Sequence, residues 1–591
     1  MRRIATVLLV AALAAAAIAI ERVGSVRADT TPPVTAAPMT LKVGGTPVGR
    51  PVAPGFVGMS VEFPAVLAYA GHDPNAVNPV FVQLVRNLAP GEAPVVRIGG
   101  NSTDATWRPA AGVRPTLGIH NTITKRWLAT IKTFAQDTRA KLILGLNLKL
   151  NSAAEIAAEE HAYLTGIGAQ HIEAFEIGNE PELYTVNPWY TTPAGKNVFS
   201  RGRNWSFNVY SREMAQFSGE LKGEPLAGPA TGSLPWLTKL PKLFSVEPGL
   251  KVVTYHTYPL IRCFTTPGNP RYPSIPDLLA PSASRGLLHG AAGEIAYAHR
   301  HGATFRVDEL NSVACKGMPG VSDTFASALW VMDTLFSMAR SGVDGVNIHT
   351  LPEAYYRLFT FTDSGGHWTA NVKPEYYGLV MFNQAAPPGS RLLPVSTPST
   401  PDVRAWATKA HNGEVRVLLI NDSLTNSYQV NVQPPSPTSQ GLLENLTAPS
   451  VAATSGVTLG GQSFGTETST GSLAGQEQLT PVTPANGQYD VTLAPGSATM
   501  LALAPGSKFD LNATTDRGDA DNEFGDPLRE ENSGRHGAII EGTTGPGPEM
   551  HLQTGRGSLT VRKASADDAT TFPDIPSVPA SPKTTLKVEH Q

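Results

Sequence analysis

The sequence predicts an α/β protein in which an eight-stranded parallel barrel is followed by an antiparallel β-sandwich and a disordered tail. Two observations support this prediction. Between about Phe56 and Asn383, short apolar runs rich in β-branched residues alternate with amphipathic segments of helical period. After Ala385 the helical period disappears, and short alternating runs with polar, glycine-rich connections replace it.

Eight candidate strands lie in the first region, and crossover lengths separate them. They are 56–61, 95–98, 141–146, 172–177, 226–229, 252–256, 304–307 and 343–348, with helical segments at 122–138, 153–167, 206–221, 287–301 and 323–340. Right-handed crossovers between eight parallel strands close a (β/α)8 TIM barrel. An open doubly wound sheet is the alternative, which is disfavoured because no Gly-x-Gly-x-x-Gly opens a helix after the first strand.

A chain of 591 residues is too long for one core, and about two to four domains are expected for that length. The divisions we predict are a signal peptide or N-terminal anchor at 1–28, the barrel at 52–385, the sandwich at 386–506 and the tail at 507–591. Residues 38–51 are expected to add a strand to the sandwich. The tail is predicted to be disordered because it has few large apolar side chains to offset its chain entropy.

The N-terminus has the pattern of an export signal. Arg2 and Arg3 precede an unbroken apolar stretch, residues 4–20, and a small-residue site follows at 26–28. The stretch is slightly short for a spanning helix of about 20 residues. We therefore expect a secreted, extracellular protein, with membrane attachment only if this segment is retained as an anchor.

The predicted export makes a disulfide between the two cysteines chemically feasible. Cys263 and Cys315 each lie just beyond a predicted strand end, on strands expected to be neighbours in the barrel. In an oxidising compartment the two loops could meet and form a disulfide. Two unpaired thiols far apart are the alternative.

Composition and motifs exclude several classes of function. The formal net charge is −3, so charge gives no reason to expect a nucleic-acid partner. The chain has no His-Glu-x-x-His or cysteine/histidine cluster and no Gly-x-Ser-x-Gly elbow, so neither a metal nor a serine nucleophile is indicated. No cofactor is expected, and the sequence leaves the oligomeric state open.

Two glutamates carry the functional prediction. Glu180 follows the fourth predicted strand and Glu309 follows the seventh. Because the carboxyl ends of barrel strands form one face, both side chains are expected to enter one crevice. A retaining glycosidase needs such a pair, one as acid/base and one as nucleophile, about 5–5.5 Å apart. Rim glutamates can also be purely structural.

Two neighbours strengthen this interpretation. Asn179, directly before Glu180, could donate to a sugar 2-hydroxyl, or could simply cap the turn. Tyr258, at the end of the sixth strand, could donate its phenol to Glu309, or could be an ordinary rim aromatic.

Several segments together resemble glycoside hydrolase family 79, the β-glucuronidase and heparanase family. They are Gly-Asn-Glu-Pro-Glu-Leu (178–183), Arg-Val-Asp-Glu-Leu-Asn-Ser (306–312), Val-Arg-Ile-Gly-Gly-Asn-Ser (96–102), His-Thr-Tyr (256–258) and Tyr-Tyr-Gly-Leu (376–379), the last expected to open the final barrel helix. The likeness covers roughly residues 39–505. It implies Glu180 as acid/base and Glu309 as nucleophile.

The same resemblance implies substrate contacts for Glu62, Asn101 and Ser102, which fall where family members line the sugar subsite. The loop after Glu309 departs from the family, with Ala314 where an aromatic is expected and Lys316 in a glycine-like place. Lys316 could pair with a uronate carboxylate as a point charge. Alternatively, the loop is altered to accept an uncharged glucoside.

The sequence therefore predicts a retaining β-glycosidase, with β-glucuronidase activity on glycoside or glycan ends as the favoured assignment. The same mechanism on a β-glucoside or 4-O-methylglucuronoside is one alternative. The other, of a different class, is a non-catalytic surface protein that binds glycans.

Overall fold

The computed structural model describes residues 38–221, 223–436, 440–504, 510–522, 527–532, 537–543 and 549–561. Eight parallel strands form its centre: β1 (Val57–Glu62), β2 (Val95–Gly99), β3 (Lys141–Leu146), β4 (Ile172–Ile177), β5 (Leu226–Thr231), β6 (Leu250–Thr257), β7 (Thr304–Leu310) and β8 (Gly345–Thr350). They close into a barrel, in which β8 pairs with β1. The predicted barrel is confirmed, and every strand lies within a few residues of its expected position.

The strands are almost wholly buried because helices cover the outside of the barrel and side chains fill its inside. The main helices are Phe63–Ala70, Pro79–Arg86, Lys125–Thr138, Ala153–Gly166, Phe207–Ser218, Leu240–Val246, Ala292–Arg300, Phe325–Arg340 and Pro374–Ala385. The last begins two residues before Tyr376, as the resemblance implied. The helix expected from residue 287 starts only at Ala292, because turns occupy the preceding residues and Gly290 has φ of 87°.

A C-terminal β-domain packs beside the barrel. Its strands are Arg391–Leu393, Val403–Lys409, Val415–Asn421, Tyr428–Gln433, Gly441–Thr447, Thr458–Leu459, Thr480–Val482, Tyr489–Leu493 and Ser497–Leu503, joined by Met39–Lys42 and Val48–Pro51 from the N-terminal side. They form a larger and a smaller sheet, and the described residues of this domain bury an apolar core that includes Leu41, Val417 and Leu501. The segment before the barrel adds two strands where one was expected.

Polar and apolar contacts join the barrel to the β-domain. The Trp406 indole donates to Asp333 on helix Phe325–Arg340 at 2.7 Å, and the Arg404 guanidinium lies 3.5 Å from the same carboxylate. A long loop of the β-domain reaches back to the barrel, where Thr468 and Ala370 pair as a β-bridge. The domain therefore buttresses the helices behind β7 and β8.

The tail prediction is wrong for part of its length. Strands Asp510–Thr515, Ala520–Asn522, Arg529–Asn532, Ala538–Thr543, Glu549–Thr554 and Leu559–Val561 lie within 507–591. Their core includes Leu511, Ala513 and Ile540. Overall composition hid the signal: apolar residues are few, but they recur at a period of two and one face of a sheet can bury them. Residues 562–591 lie outside the described residues, as does the predicted signal peptide.

The Cys263–Cys315 disulfide is present, with the two Cα atoms 5.9 Å apart. It joins the loop after β6 to the loop after β7. Just before it, Leu260–Ile261 pairs with Val313–Ala314 as a short parallel ladder, so the two loops are connected twice. Among the described residues, no helix has the length and apolarity needed to cross a membrane.

Candidate active site

Glu180 and Glu309 meet at the carboxyl face of the barrel. Glu180 follows β4. Glu309 is the penultimate residue of β7 and is 8% exposed. A carboxylate oxygen of Glu180, a carboxylate oxygen of Glu309 and a ring nitrogen of His256 all lie within 4.8 Å of one another. The structure therefore brings the two predicted glutamates together in one crevice.

The backbone after β4 aims Glu180 into this crevice. Gly178 has φ of 81°, and a Cβ there would lie 2.6 Å from the Tyr184 hydroxyl oxygen, so only glycine fits. Glu180 itself has φ of 44°, a conformation that costs energy for a residue with a side chain. Its amide donates to the Ala230 carbonyl at 2.8 Å, which ties the turn to β5.

A buried arginine on β2 connects the elements that carry the two glutamates. The Arg97 side chain is fully buried. Its Nε donates to Glu176 on β4 at 2.7 Å, its Nη1 to Glu309 on β7 at 2.8 Å, and its Nη2 to the Asn179 side-chain oxygen at 2.8 Å. Both carboxylate-bearing strand ends are thus hydrogen-bonded to one guanidinium. Sequence reasoning noted Arg97 only as part of a motif, although a lone charge in the run Val-Val-Arg-Ile was a usable signal.

Two neighbouring glycines make room for this arrangement. A Cβ on Gly99 would lie 2.9 Å from the Arg97 guanidinium carbon. A Cβ on Gly100, where φ is 76°, would lie 2.6 Å from an oxygen of Glu62. The Arg-x-Gly-Gly sequence is therefore required by close packing around two charged side chains.

Arg97 also sets the charge of a buried carboxyl pair. Glu176 and Asp308 both approach the Arg97 Nε, at 2.7 and 3.1 Å. Burial and the nearby Glu176 carboxylate raise the pKa of Asp308 well above its usual range. Burial opposes the ionisation of Glu176 as well, but Arg97 outweighs it and lowers the pKa of Glu176. The opposite shifts favour a proton on Asp308 over one on Glu176.

Glu309 is held ionised. The Tyr258 hydroxyl donates to Oε1 at 2.8 Å and Arg97 donates to Oε2 at 2.8 Å. Burial opposes the charge, but His349, His256, Arg97 and the Tyr258 hydroxyl together hold the pKa of Glu309 well below its usual range. The predicted contact of Tyr258 with Glu309 is present.

His256 stands between the two glutamates. Its Nδ1 lies 3.3 Å from Glu180 Oε1 and 3.9 Å from Glu309 Oε2. Burial lowers its pKa, but Glu309 and Asp308 prevail and raise the pKa of His256 to about 9. The same three side chains are close enough to hold a cation. A charged imidazole does not favour that use, because a metal ligand must be deprotonated.

Glu62 lines the opposite part of the crevice with the loop after β2. The amides of Ser102 and Asn101 donate to its carboxylate at 2.7 and 3.2 Å, and His349 Nε2 on β8 lies 3.8 Å away. Burial raises the pKa of Glu62. The Ser102 hydroxyl donates to the Gly99 carbonyl and accepts from the Phe63 amide, so its bonding capacity is largely used within the protein.

The Asn179 side-chain nitrogen lies 3.4 Å from the Asn101 side-chain oxygen, so these two predicted residues also meet.

Lys316 lies apart from the two glutamates. It is exposed, and no contact in the described part of the chain joins its ammonium group to Glu180 or Glu309. Its backbone carbonyl accepts from the Tyr355 amide at 2.8 Å.

Tyr356, in the loop after β8, is a site residue that sequence reasoning missed. Its ring centroid is 6.3 Å from the ring centroid of Tyr258 and 5.9 Å from that of His349.

Comparison with known proteins supports the resemblance to glycoside hydrolase family 79. The model of the glycosyl hydrolase family 79 C-terminal beta domain matches residues 405–500. A β-glucuronidase of Aspergillus niger is 24% identical over 396 residues, which are 63% of this chain and 72% of that protein. A β-glucuronidase of Neurospora crassa is 22% identical over 425 residues, 64% of this chain and 74% of that protein. The C-terminal β-domain thus matches the family 79 model, and the chain is similar to these two β-glucuronidases over most of its length.

The fold of the chain is also that of a solved glycosidase. A 4-O-α-L-rhamnosyl-β-D-glucuronidase from Fusarium oxysporum 12S matches it with a TM-score of 0.63 at 19% identity, over 79% of this chain and 100% of that one. The resemblance found in the sequence motifs is confirmed. The chain is a glycoside hydrolase, and a carbohydrate is its substrate.

The charge assignment around Arg97 predicts unequal effects of two near-isosteric substitutions. Asp308→Asn replaces a neutral acid by a neutral amide and should change the free energy of unfolding at pH 7 by less than about 1 kcal/mol. Glu176→Gln removes the charged partner of a buried cation and should cost about 3–5 kcal/mol. Urea unfolding of both variants measures the difference. Equal destabilisation would show that the proton does not reside on Asp308.

Proposed function

We propose that this protein is a retaining β-glucuronidase of glycoside hydrolase family 79, in which Glu309 is the nucleophile and Glu180 the acid/base. One observation carries the proposal: the two carboxylates share one crevice. A carboxylate oxygen of Glu180, a carboxylate oxygen of Glu309 and a ring nitrogen of His256 lie within 4.8 Å of one another. That spacing leaves no room for the water of an inverting enzyme, which needs about 6.5–9.5 Å between carboxyl groups.

In the first step, Glu309 attacks the anomeric carbon as the bond to the leaving oxygen breaks. Tyr258 and Arg97 hold its two oxygens in place and keep it ionised, so no proton has to leave before attack. Glu180 gives its proton to the leaving oxygen. The products of this step are the free alcohol and a glycosyl ester on Glu309.

In the second step, Glu180 removes a proton from water, and the water oxygen attacks the anomeric carbon. The ester bond to Glu309 breaks and the sugar leaves with its original anomeric configuration. His256, whose charged Nδ1 lies 3.3 Å from Glu180, is placed to stabilise the Glu180 carboxylate that this step requires. Asn179, fixed by Arg97 through its oxygen, donates one side-chain N–H to Asn101 and keeps the other for a sugar hydroxyl.

The choice of a glucuronide rests on the relatives, which are named β-glucuronidases. In this chain Glu62 faces the same crevice with its carboxylate fixed by two amides, and it would accept from sugar hydroxyls. Lys316 is exposed on the loop after β7 and is the cation we propose for the uronate. A β-glucoside or 4-O-methylglucuronoside would suit the same mechanism. The alternative of a non-catalytic glycan-binding protein is disfavoured by the ionised, oriented Glu309.

We place the protein outside the cell. The apolar run at 4–20 behind Arg2 and Arg3 is typical of an export signal, and a disulfide is typical of an oxidising compartment.

Replacing the nucleophile tests the mechanism. Glu309→Gln should lower kcat on p-nitrophenyl β-glucuronide by about 10⁴-fold or more, with an unchanged melting profile confirming that the variant folds. A mechanism-based uronic-acid cyclophellitol should label Glu309 in the wild type, and peptide mass mapping locates the adduct. Proton NMR of the newly released sugar reports its anomeric configuration. An inverted configuration would refute the retaining mechanism.

The lowered pKa of Glu309 means that the nucleophile loses its charge, and the enzyme its activity, only at a pH below the usual range of a glutamate. The same shift affects stability: because the folded pKa lies below the unfolded value, the ionised form stabilises the fold at neutral pH, and that contribution is lost as the pH falls through the folded pKa. Tyr258→Phe removes one charged hydrogen bond, worth about 1.5–3 kcal/mol. The acid limb of kcat/KM should move to higher pH and kcat/KM should fall about tenfold to a hundredfold. An unmoved acid limb would mean that Tyr258 does not tune Glu309.

A panel of chromogenic glycosides tests the substrate. The p-nitrophenyl β-glucuronide should be hydrolysed at least tenfold faster, in kcat/KM, than the β-glucoside. Lys316→Met, which keeps the length of the side chain and removes its charge, should narrow that ratio. Lys409→Met on the β-domain is the matched control and should leave it unchanged. Faster hydrolysis of the glucoside by the wild type would overturn the glucuronide assignment while leaving the roles of Glu180 and Glu309 intact.

A further inference from the structure

A second glutamate lies beside Glu180. Glu182 is two residues further along, in the short 3-10 helix Pro181–Leu183 that follows β4. Its Oε1 accepts from the Gly232 amide at 2.7 Å, so the side chain reaches across to the loop after β5. A Cβ added to Gly232 would lie 3.3 Å from Oε1 of Glu180 and 3.6 Å from Oε1 of Glu182. Both carboxylates therefore face the same glycine and are close neighbours.

The turn that carries both glutamates is held from two sides. The Glu180 amide donates to the Ala230 carbonyl on β5 at 2.8 Å. The Trp205 indole donates to the Pro181 carbonyl at 2.7 Å, and Pro181 itself is buried. Because the backbone is fixed at these points, the side chain of Glu182 is kept next to that of Glu180.

The surroundings of Glu182 offer little to stabilise a negative charge. Its Oε2 is buried and has no hydrogen-bond partner of good geometry among the described residues. The titratable groups that face it are Glu180 on the same turn, His256 and Tyr255 on β6, and Tyr210 on the helix after β4. Of these, only His256 can carry a positive charge. Burial and the Glu180 carboxylate raise the pKa of Glu182 to about 7, so its charge develops near neutral pH.

A charge beside Glu180 matters because the two steps of the proposed function, on which this inference rests, need opposite states of that group. The first step requires a proton on Glu180, and the second requires its carboxylate. The His256 Nδ1, 3.3 Å from Glu180 Oε1, favours the carboxylate. A negative charge on Glu182 favours the protonated form, because a carboxyl next to another anion holds its proton more strongly. The two neighbours therefore act on Glu180 in opposite directions.

We propose that Glu182 is a positioning residue for the proton of this reaction: its carboxylate offsets His256 and keeps Glu180 protonated at neutral pH, as the first step requires. An isolated carboxyl is deprotonated well below pH 7. Two interacting carboxyls titrate as a pair, and the pair retains one proton to higher pH. A purely structural role for Glu182, as a tether of the loop at Gly232, would need only an acceptor oxygen and no charge.

Glu182→Gln separates the two roles, because the amide oxygen can still accept from Gly232 while the charge is gone. The measurement is kcat/KM against pH with phenyl β-glucuronide, whose leaving oxygen needs a proton. The basic limb should move to lower pH by about one unit, the size of shift that a nearby like charge produces. With 2,4-dinitrophenyl β-glucuronide, whose leaving group needs no proton, the basic limb should stay in place. Glu220→Gln is the matched control, since Glu220 is exposed and distant in the chain, and it should move neither limb.

An unmoved basic limb with phenyl β-glucuronide, in a variant that keeps the wild-type melting temperature, would overturn the proposal and leave Glu182 as a tether. An equal shift with both substrates would also overturn it, because the charge would then act on a group other than the proton donor. If Glu182→Gln does not fold, the wild type decides: its basic limb with phenyl β-glucuronide should lie above about pH 6, and a lower limb would be that of an isolated carboxyl. Wild-type hydrolysis of either glucuronide tests the proposed function separately; without it, that function fails, and this proposal with it.

Discussion

The site depends on one buried cation. Arg97 on β2 hydrogen-bonds to side chains from β4 and β7 and to the turn that carries Glu180. Removing a guanidinium from water is costly, and only close partners with good geometry offset that cost. The arrangement is therefore specific: a shift of β4 or β7 along the barrel axis would leave a buried charge unpaired. The same contacts that fix the barrel's interior also fix the positions of Glu180 and Glu309.

Charge balance follows from the same network. The cations Arg97 and His256 lie against the carboxylates of Glu176 and Glu309. They lower the pKa of Glu309 at a site where burial alone would favour its protonated form. The two adjacent acids on β7 therefore have opposite pKa shifts: the pKa of Asp308 is raised and the pKa of Glu309, which points into the crevice, is lowered.

The two sides of the crevice are built differently. Around β1, β2 and β8, charged and polar groups such as Glu62 and His349 are held by backbone amides and by one another. Around β6 and β7, a short ladder and a disulfide connect the loops. The β-domain supports the helices behind this arrangement through Asp333 and Trp406.

The sequence by itself determined the barrel, its strand positions and the two glutamates. Buried parallel strands are continuous apolar runs, and residues that follow them must lie on one face. The same local logic found the neighbouring cysteines and Tyr258. It failed for the tail strands, where the overall composition outweighed a weak period of two around Leu511 and Ile540.

Only the tertiary structure decided the protonation states and the partners of Arg97. The residues concerned are far apart in the chain: Arg97 is 79 residues from Glu176 and 212 from Glu309. A charge in an apolar run indicates a buried ion, but its partners and their distances are properties of the closed barrel. The pKa of a carboxyl depends on those distances and on burial, and neither exists until the strands have come together.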